Sequence, residues 1–478
     1  MKKEMKRREF LKVATAGAGV GLSLGSSRIV AFGATPKGSR IISPGCRGSK
    51  VKVARLYMAN PEGLWPKPNL DLKNEVRFYE NKFAELKKEL SDVEFVVDEL
   101  ITSPEQIAGI EGRLKEVDGI LVIHLTLGIR PILEEILAVG LPTAVFAVPY
   151  SGHDWTGFGE LRNQKLGEKM ECLLTSDYKQ LAAAIRPFRA IHHLREARIF
   201  NNTERFSTEY AEAVKDKFGT EIKQITRQQV LDAYNSVDIN EAKAEADRWI
   251  EEAVEVVEPS REEIVKSCRL ALAFQNLLDE ENATVMTVDC YGSMYRQLPA
   301  YPCIGFTRLN NMGLGGICES DVQSAMTHIL FQGLAGRPGF ISDPTVDVSN
   351  NSIILAHCMG TTKMDGPDKP ACPYNIRTIM ERREGAVPQV KMRIGQKVTQ
   401  AELIGTDLLL YFTGEIIDTP DIDRGCRTKI TVKVDGDAET LWKNWSHGLH
   451  RQTCYGDITK ELEHFCRFKG IKIVNEAV

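Results

Sequence analysis

The sequence predicts an α/β protein: two Rossmann-like α/β domains followed by a β-rich, barrel-like C-terminal domain. Three observations carry the prediction. From residue 51 to about residue 360, apolar β-branched runs alternate with stretches at helical spacing, the pattern of parallel sheets with helices on both faces. Beyond about residue 375 the texture changes to short apolar runs bounded by turn residues, as in an antiparallel sheet or small barrel. The 478 residues, 43% of them hydrophobic, suffice for several cores without disulfide staples.

Residues 1–34 are set aside from the fold. Lys6-Arg7-Arg8-Glu9-Phe10-Leu11-Lys12 precedes a weakly apolar, Ala- and Gly-rich run and then the small-residue stretch Ala31-Phe32-Gly33-Ala34. The pattern resembles a twin-arginine export signal, which implies the twin-arginine machinery as a partner and a periplasmic or other extracytoplasmic destination.

The first α/β domain, 50–189, is predicted from strands at Val51–Tyr57, Val93–Val97, Gly119–His124 and Thr143–Val148 with helical stretches between them. The second, 190–360, opens with Ala197–Phe200, a helix at Glu204–Lys217 and Ile222–Ile225. Its charged helical region from Asp238 to Leu278 reads as solvated faces. Apolar runs resume at Thr284–Val288. The C-terminal domain, 361–478, shows short runs at Val390–Ile394, Lys397–Ile404, Asp407–Ile416 and Thr428–Lys433, then strand, helix and strand at Arg451–Tyr455, Ile458–Phe468 and Ile471–Val474.

Charge excludes some functions. Lys and Arg number 61 against 65 Asp and Glu, with no long basic block, which argues against nucleic acid as the main partner and for a small molecule. No stretch reaches the roughly 20 apolar residues of a stable membrane span. Eleven cysteines without a CxxC pair argue against zinc-ribbon or iron–sulfur ligation, so most are expected as reduced thiols.

The informative stretch runs from Gly315-Gly316-Ile317-Cys318-Glu319-Ser320-Asp321 to Phe340-Ile341-Ser342-Asp343. Between the acids, Val322, Ala325, Met326, Ile329, Leu330 and Leu334 form one helix face. Glu319 is therefore expected just before a helix and Asp343 just after the next strand, side by side on the carboxyl edge of a parallel sheet. The glycines before Glu319 leave room for a ligand, whereas Asp321 reads as a helix cap. His357 ends the run Ile353–Ala356, and His450 heads Arg451–Tyr455. Carboxylates with imidazoles and no thiolate suit Mn²⁺, with Mg²⁺ or Co²⁺ as alternates, better than structural zinc.

The Cys-Glu-Ser-Asp segment, the 24-residue step to Asp343, the Ala-His-Cys strand and the block His450-Arg451-Gln452-Thr453-Cys454-Tyr455-Gly456-Asp457 resemble the L-fucose isomerase and L-arabinose isomerase superfamily. The resemblance implies a homo-oligomeric, metal-dependent aldose–ketose isomerase acting on a free sugar through an enediolate. Glu319, Asp343 and His450 would bind the metal, His357 would be a fourth ligand, and Glu319 and Asp343 would also serve as acid and base. Arg308, Asn310 and Trp155 are then expected to contact the sugar. A metal-dependent epimerase or lyase on the same scaffold and a periplasmic sugar-binding protein are the rival readings.

Overall fold

A computed structural model describes residues 41–478, so the export-like pattern at 1–34 lies outside the described residues. The first sheet has five parallel strands: β1 (Val51–Met58), β2 (Val93–Ile101), β3 (Gly119–His124), β4 (Thr143–Ala147) and β5 (Met170–Leu174), ordered β2-β1-β3-β4-β5. β3 and β4 are buried at every position, as expected where helices cover both faces. Helix Gln180–Glu196 runs across the boundary expected at 189/190.

β6 (Arg198–Asn202) and β7 (Glu221–Ile225) belong to a second parallel sheet. After the two-residue β8 (Glu255–Val256), β9 (Val285–Val288) and β10 (Gly315–Cys318) complete it in the order β10-β9-β6-β7. The sequence places the next strands in this unit as well; the structure does not. β11 (Phe340–Asp347) and β12 (Ser352–His357) pair antiparallel with each other and with C-terminal strands. A short apolar run has the same look in either kind of sheet, so periodicity could not tell them apart.

β13 (Tyr374–Arg377) and β14 (Val387–Val390) form a small sheet with β8. β15 (Lys397–Ile404), β16 (Leu408–Asp418), β17 (Thr428–Asp435), β18 (Arg451–Tyr455) and β19 (Lys472–Asn475) join β11 and β12 in the order β15-β18-β11-β12-β17-β16-β19. A further β15–β16 pairing closes six of these strands into a ring, the barrel expected for the C-terminal region. The fold is mixed α/β with two parallel sheets and a β-rich C-terminal part. All eleven cysteines are free. Among the described residues no helix is long and apolar enough to cross a membrane.

Candidate metal centre between the parallel sheet and the barrel

Glu319 and Ser320 follow β10 with φ of 63° and 59°, two consecutive left-handed residues that are not glycine. Such backbone is strained and persists where its surroundings enforce it. Here Ser320 N–H donates to Val288 O at 3.1 Å and Ser320 Oγ donates to Asn201 Oδ1 at 2.6 Å. Asp321 then caps helix Val322–Ala335, accepting from Ser324 N at 2.9 Å. Gly316 serves packing and not a ligand: a Cβ there would lie 2.3 Å from Phe306 Cα, in helix Cys303–Asn311.

The barrel supplies the other groups. Asp343 lies within β11, opposite Ala356, and not beyond a parallel strand as expected. His357 ends β12. His450 stands immediately before β18, whose Arg451 pairs with Ser342, and this register brings His450 beside Asp343.

These elements converge. His357 Nε2 lies 3.7 Å from Glu319 Oε1, His450 Nε2 lies 3.7 Å from Glu319 Oε2, and His450 Nε2 lies 3.1 Å from Asp343 Oδ1. The tightest group is Glu319, His357 and His450, with donor atoms all within 4.8 Å of one another; Asp343 approaches from the His450 side. Among the described residues, Asp343 Oδ1, His450 Nε2 and both ring nitrogens of His357 are buried without a hydrogen-bond partner. The 3.1 Å contact is too poorly aligned to satisfy its two atoms. Buried polar groups are seldom left so, and converging unsatisfied carboxylate and imidazole donors fit a divalent ion of intermediate hardness.

A second group, Cys46, His192 and Glu196, makes the contrast. Its donors are already engaged: His192 bonds Asp118 Oδ2 at 3.0 Å and Ser49 O at 2.9 Å, Cys46 Sγ donates to Ser49 O at 3.4 Å, and Glu196 Oε1 accepts from Ser49 Oγ at 3.1 Å.

Electrostatics divides the two histidines. Burial and the charge of His450 push His357 down to about 4, leaving it neutral at neutral pH. Burial opposes charge on His450, but its hydrogen bond to Asp321, the close Asp343 carboxylate and the charge of Glu319 lift it to about 10. Glu319 is held above the usual carboxylate range by burial and by the neighbouring Asp343, Asp321 and Asp289 charges, with His450 pulling the other way.

A polar chain behind the centre fixes His450. Its Nδ1 lies 2.8 Å from Asp321 Oδ2, which also accepts from Ser324 Oγ at 3.1 Å. Ser324 Oγ lies 3.0 Å from Glu402 Oε1. One hydroxyl proton cannot serve both carboxyls. Burial raises Glu402 well above the usual range, whereas bonds to His450 and Ser324 offset burial and lower Asp321. Glu402 is therefore the protonated member and donates to Ser324, Ser324 donates to Asp321, and the His450 N–H also points at Asp321. That direction leaves the Nε2 lone pair facing the centre once the ring is neutral.

The expected sugar contacts fall elsewhere. Arg308 pairs with Glu245 at 2.9 Å, on helix Ile239–Glu252. Asn310 is spent clamping β10: its Oδ1 accepts from Gly316 N at 2.7 Å and its Nδ2 donates to Thr361 Oγ1 at 3.0 Å. Trp155 is 53% exposed at the start of helix Trp155–Arg162, beyond β4 of the first sheet. Sequence reasoning missed the link from Asp321 to His450, buried Glu402, and Cys426, whose Sγ lies 3.9 Å from Asp343 Oδ2. Only Asp321 carried a signal, two residues from Glu319.

A parallel sheet meeting a barrel at carboxylate and imidazole donors defines an α/β protein with a candidate metal centre. No known protein-family profile matches the chain. It is similar to a sulfoquinovose isomerase of Alkalicoccus urumqiensis, 24% identical over 265 residues, covering 50% of this chain and 57% of that protein. It is also similar to a sulfoquinovose isomerase of Clostridium sp. (strain MSTE9), 25% identical over 208 residues, covering 41% and 44%. The chain thus spans about half the length of the curated relatives it matches.

Proposed function

We propose that the chain is a metal-dependent aldose–ketose isomerase whose substrate is a sulfonated free sugar, as the name of its relatives suggests. The observation that carries the reading is the convergence of Glu319, His357, His450 and Asp343, with the buried atoms His357 Nδ1 and Nε2, His450 Nε2 and Asp343 Oδ1 lacking hydrogen-bond partners. Mn²⁺, Mg²⁺ or Co²⁺ held by these four residues would supply a Lewis acid that polarises the substrate carbonyl.

The protein groups do the rest. Isomerisation moves a proton between adjacent carbons through an enediolate, so one carboxylate must take it from carbon and another group must serve the oxygens. Glu319, whose proton affinity is raised, is assigned the carbon proton, and Asp343 the oxygen side. The twin-arginine-like N-terminal pattern supports a reaction outside the cytoplasm, and a homo-oligomer belongs to the same proposal.

Proton NMR in D₂O tests it. The Mn²⁺-loaded chain should convert sulfoquinovose to a ketose with deuterium entering at carbon, and Glu319→Gln should remain folded while turnover falls about 10²- to 10⁴-fold. An epimeric aldose without ketose would instead mean an epimerase, and tight sugar binding without turnover a binding protein. Full turnover by Glu319→Gln would remove the assignment of the base.

A further inference from the structure

We infer that Arg382 binds the anionic substituent of the sugar. The inference rests on the isomerase reading and assigns the group that would recognise a tetrahedral oxyanion, sulfonate or phosphate, remote from the sugar's carbonyl. The centre itself cannot supply this recognition. Glu319, Asp321, Asp343 and Asp289 gather there, and among the described residues no Lys or Arg is hydrogen-bonded to any of the four. An anionic sugar entering such a site needs a cation at its far end.

Arg382 is placed for this. Its guanidinium carbon lies 5.4 Å from the centre of the Tyr291 ring and 4.8 Å from that of Tyr295. The arginines around it are spent on acids: Arg383 pairs with Asp423, Arg296 with Glu384, Arg377 with Glu258. Among the described residues Arg382 has no hydrogen bond or ion pair and acts on Glu384 only through space. Stacking on two rings orders the planar cation while leaving its N–H edges free, the arrangement that suits bidentate capture of an oxyanion.

Two threads tie Arg382 to the centre. Tyr291 lies three residues beyond β9, the strand paired with β10, so it leaves the same sheet edge as Glu319. Its hydroxyl lies 3.6 Å from Cys358 Sγ, the residue after His357. On the other side Glu381 reaches within 3.6 Å of Cys426 Sγ, which in turn approaches Asp343. With C–C bonds of about 1.5 Å, an open six-carbon chain spans roughly 6 Å. On this proposal a sugar whose carbonyl end is at Glu319 directs its terminal substituent past the Tyr291 ring toward Arg382.

The test compares kcat/KM for sulfoquinovose, glucose 6-phosphate and quinovose, the neutral parent, in the wild-type chain, Arg382→Leu and Arg382→Lys. The preference of the wild-type chain for an anionic sugar over quinovose should drop about 10- to 100-fold in Arg382→Leu and be partly kept in Arg382→Lys. A preference for glucose 6-phosphate would support the subsite and assign it to phosphate esters. Equal loss on all three sugars, or a wild-type chain indifferent to the anion, would overturn it. If no sugar is turned over, the isomerase reading fails, and calorimetric binding of sulfoquinovose decides the subsite alone: weaker binding by Arg382→Leu supports it, and equal or absent binding overturns it.

Discussion

His450 is held by a carboxylate that has a second duty. Asp321 caps helix Val322–Ala335 through Ser324 N and meets His450 Nδ1. Asp321→Asn separates the two tasks, because Asn is as good a cap as Asp. Its single oxygen stays with Ser324 N and its amide turns toward Nδ1, which moves the His450 proton to Nε2 and removes the lone pair facing Glu319. We expect Mn²⁺ affinity lower by about 10- to 100-fold, measured by titration calorimetry, and an ion-free unfolding midpoint that falls at neutral pH, because the charge pairing with His450 is lost while the cap is kept. Unchanged affinity would mean that the ring is oriented by packing alone. The cap was legible, since Asp three residues past a strand end and ahead of an apolar helix face is a start signal. The bond to His450 was not, because it joins positions 129 residues apart.

At the scale of elements, sequence pattern located the strands around the site better than it joined them. His357 was readable as a strand end, and β12 does end there. Asp343 was placed beside Glu319 on one sheet, but helix Val322–Ala335 does not return the chain to β10; Gly336 ends it in the left-handed region and the chain enters the barrel. Arg308 and Asn310 looked available because a sequence does not show which neighbours will claim a side chain. The same helix is seated by Gly333, where an added Cβ would lie 2.5 Å from Ala190 Cα in helix Gln180–Glu196. Neither backbone can yield as a flexible side chain would. Gly333→Ala gains about 1 kcal/mol of helix propensity and loses about 1–3 kcal/mol to overpacking. The urea midpoint should fall by the equivalent of about 1 kcal/mol with unchanged slope; a rise would show that the two helices separate freely.

Across the whole molecule, the candidate centre draws on two structures with separate hydrogen-bond networks: Glu319 from the β10-β9-β6-β7 sheet, and Asp343, His357 and His450 from the barrel. An ion there would bridge them, so it should stabilise the chain as a whole, and the pH dependence follows from His450. In the ion-free protein its proton affinity is raised to about 10, so it holds a proton across pH 6–9 that the ion must displace. His357, lowered to about 4, has none to give in that range, and Glu319, held above its ordinary value, titrates in the same sense as His450. The sign on stability agrees. A raised histidine value stabilises the ion-free fold fully below its unfolded value near 6.5, and this contribution fades as the pH climbs toward 10. Both effects widen the gap between loaded and ion-free protein at higher pH. At an Mn²⁺ concentration about 100 times Kd the gain is about 2.7 kcal/mol, or roughly 3–6 °C in Tm for a chain of this size. At one fixed Mn²⁺ concentration the shift should be larger at pH 8 than at pH 6, because affinity rises about tenfold per pH unit for each proton displaced. Scanning calorimetry of Mn²⁺-loaded and chelator-treated protein at both pH values measures it. A shift of equal size at the two pH values, or one that survives His450→Ala, would place the ion somewhere other than between the sheet and the barrel.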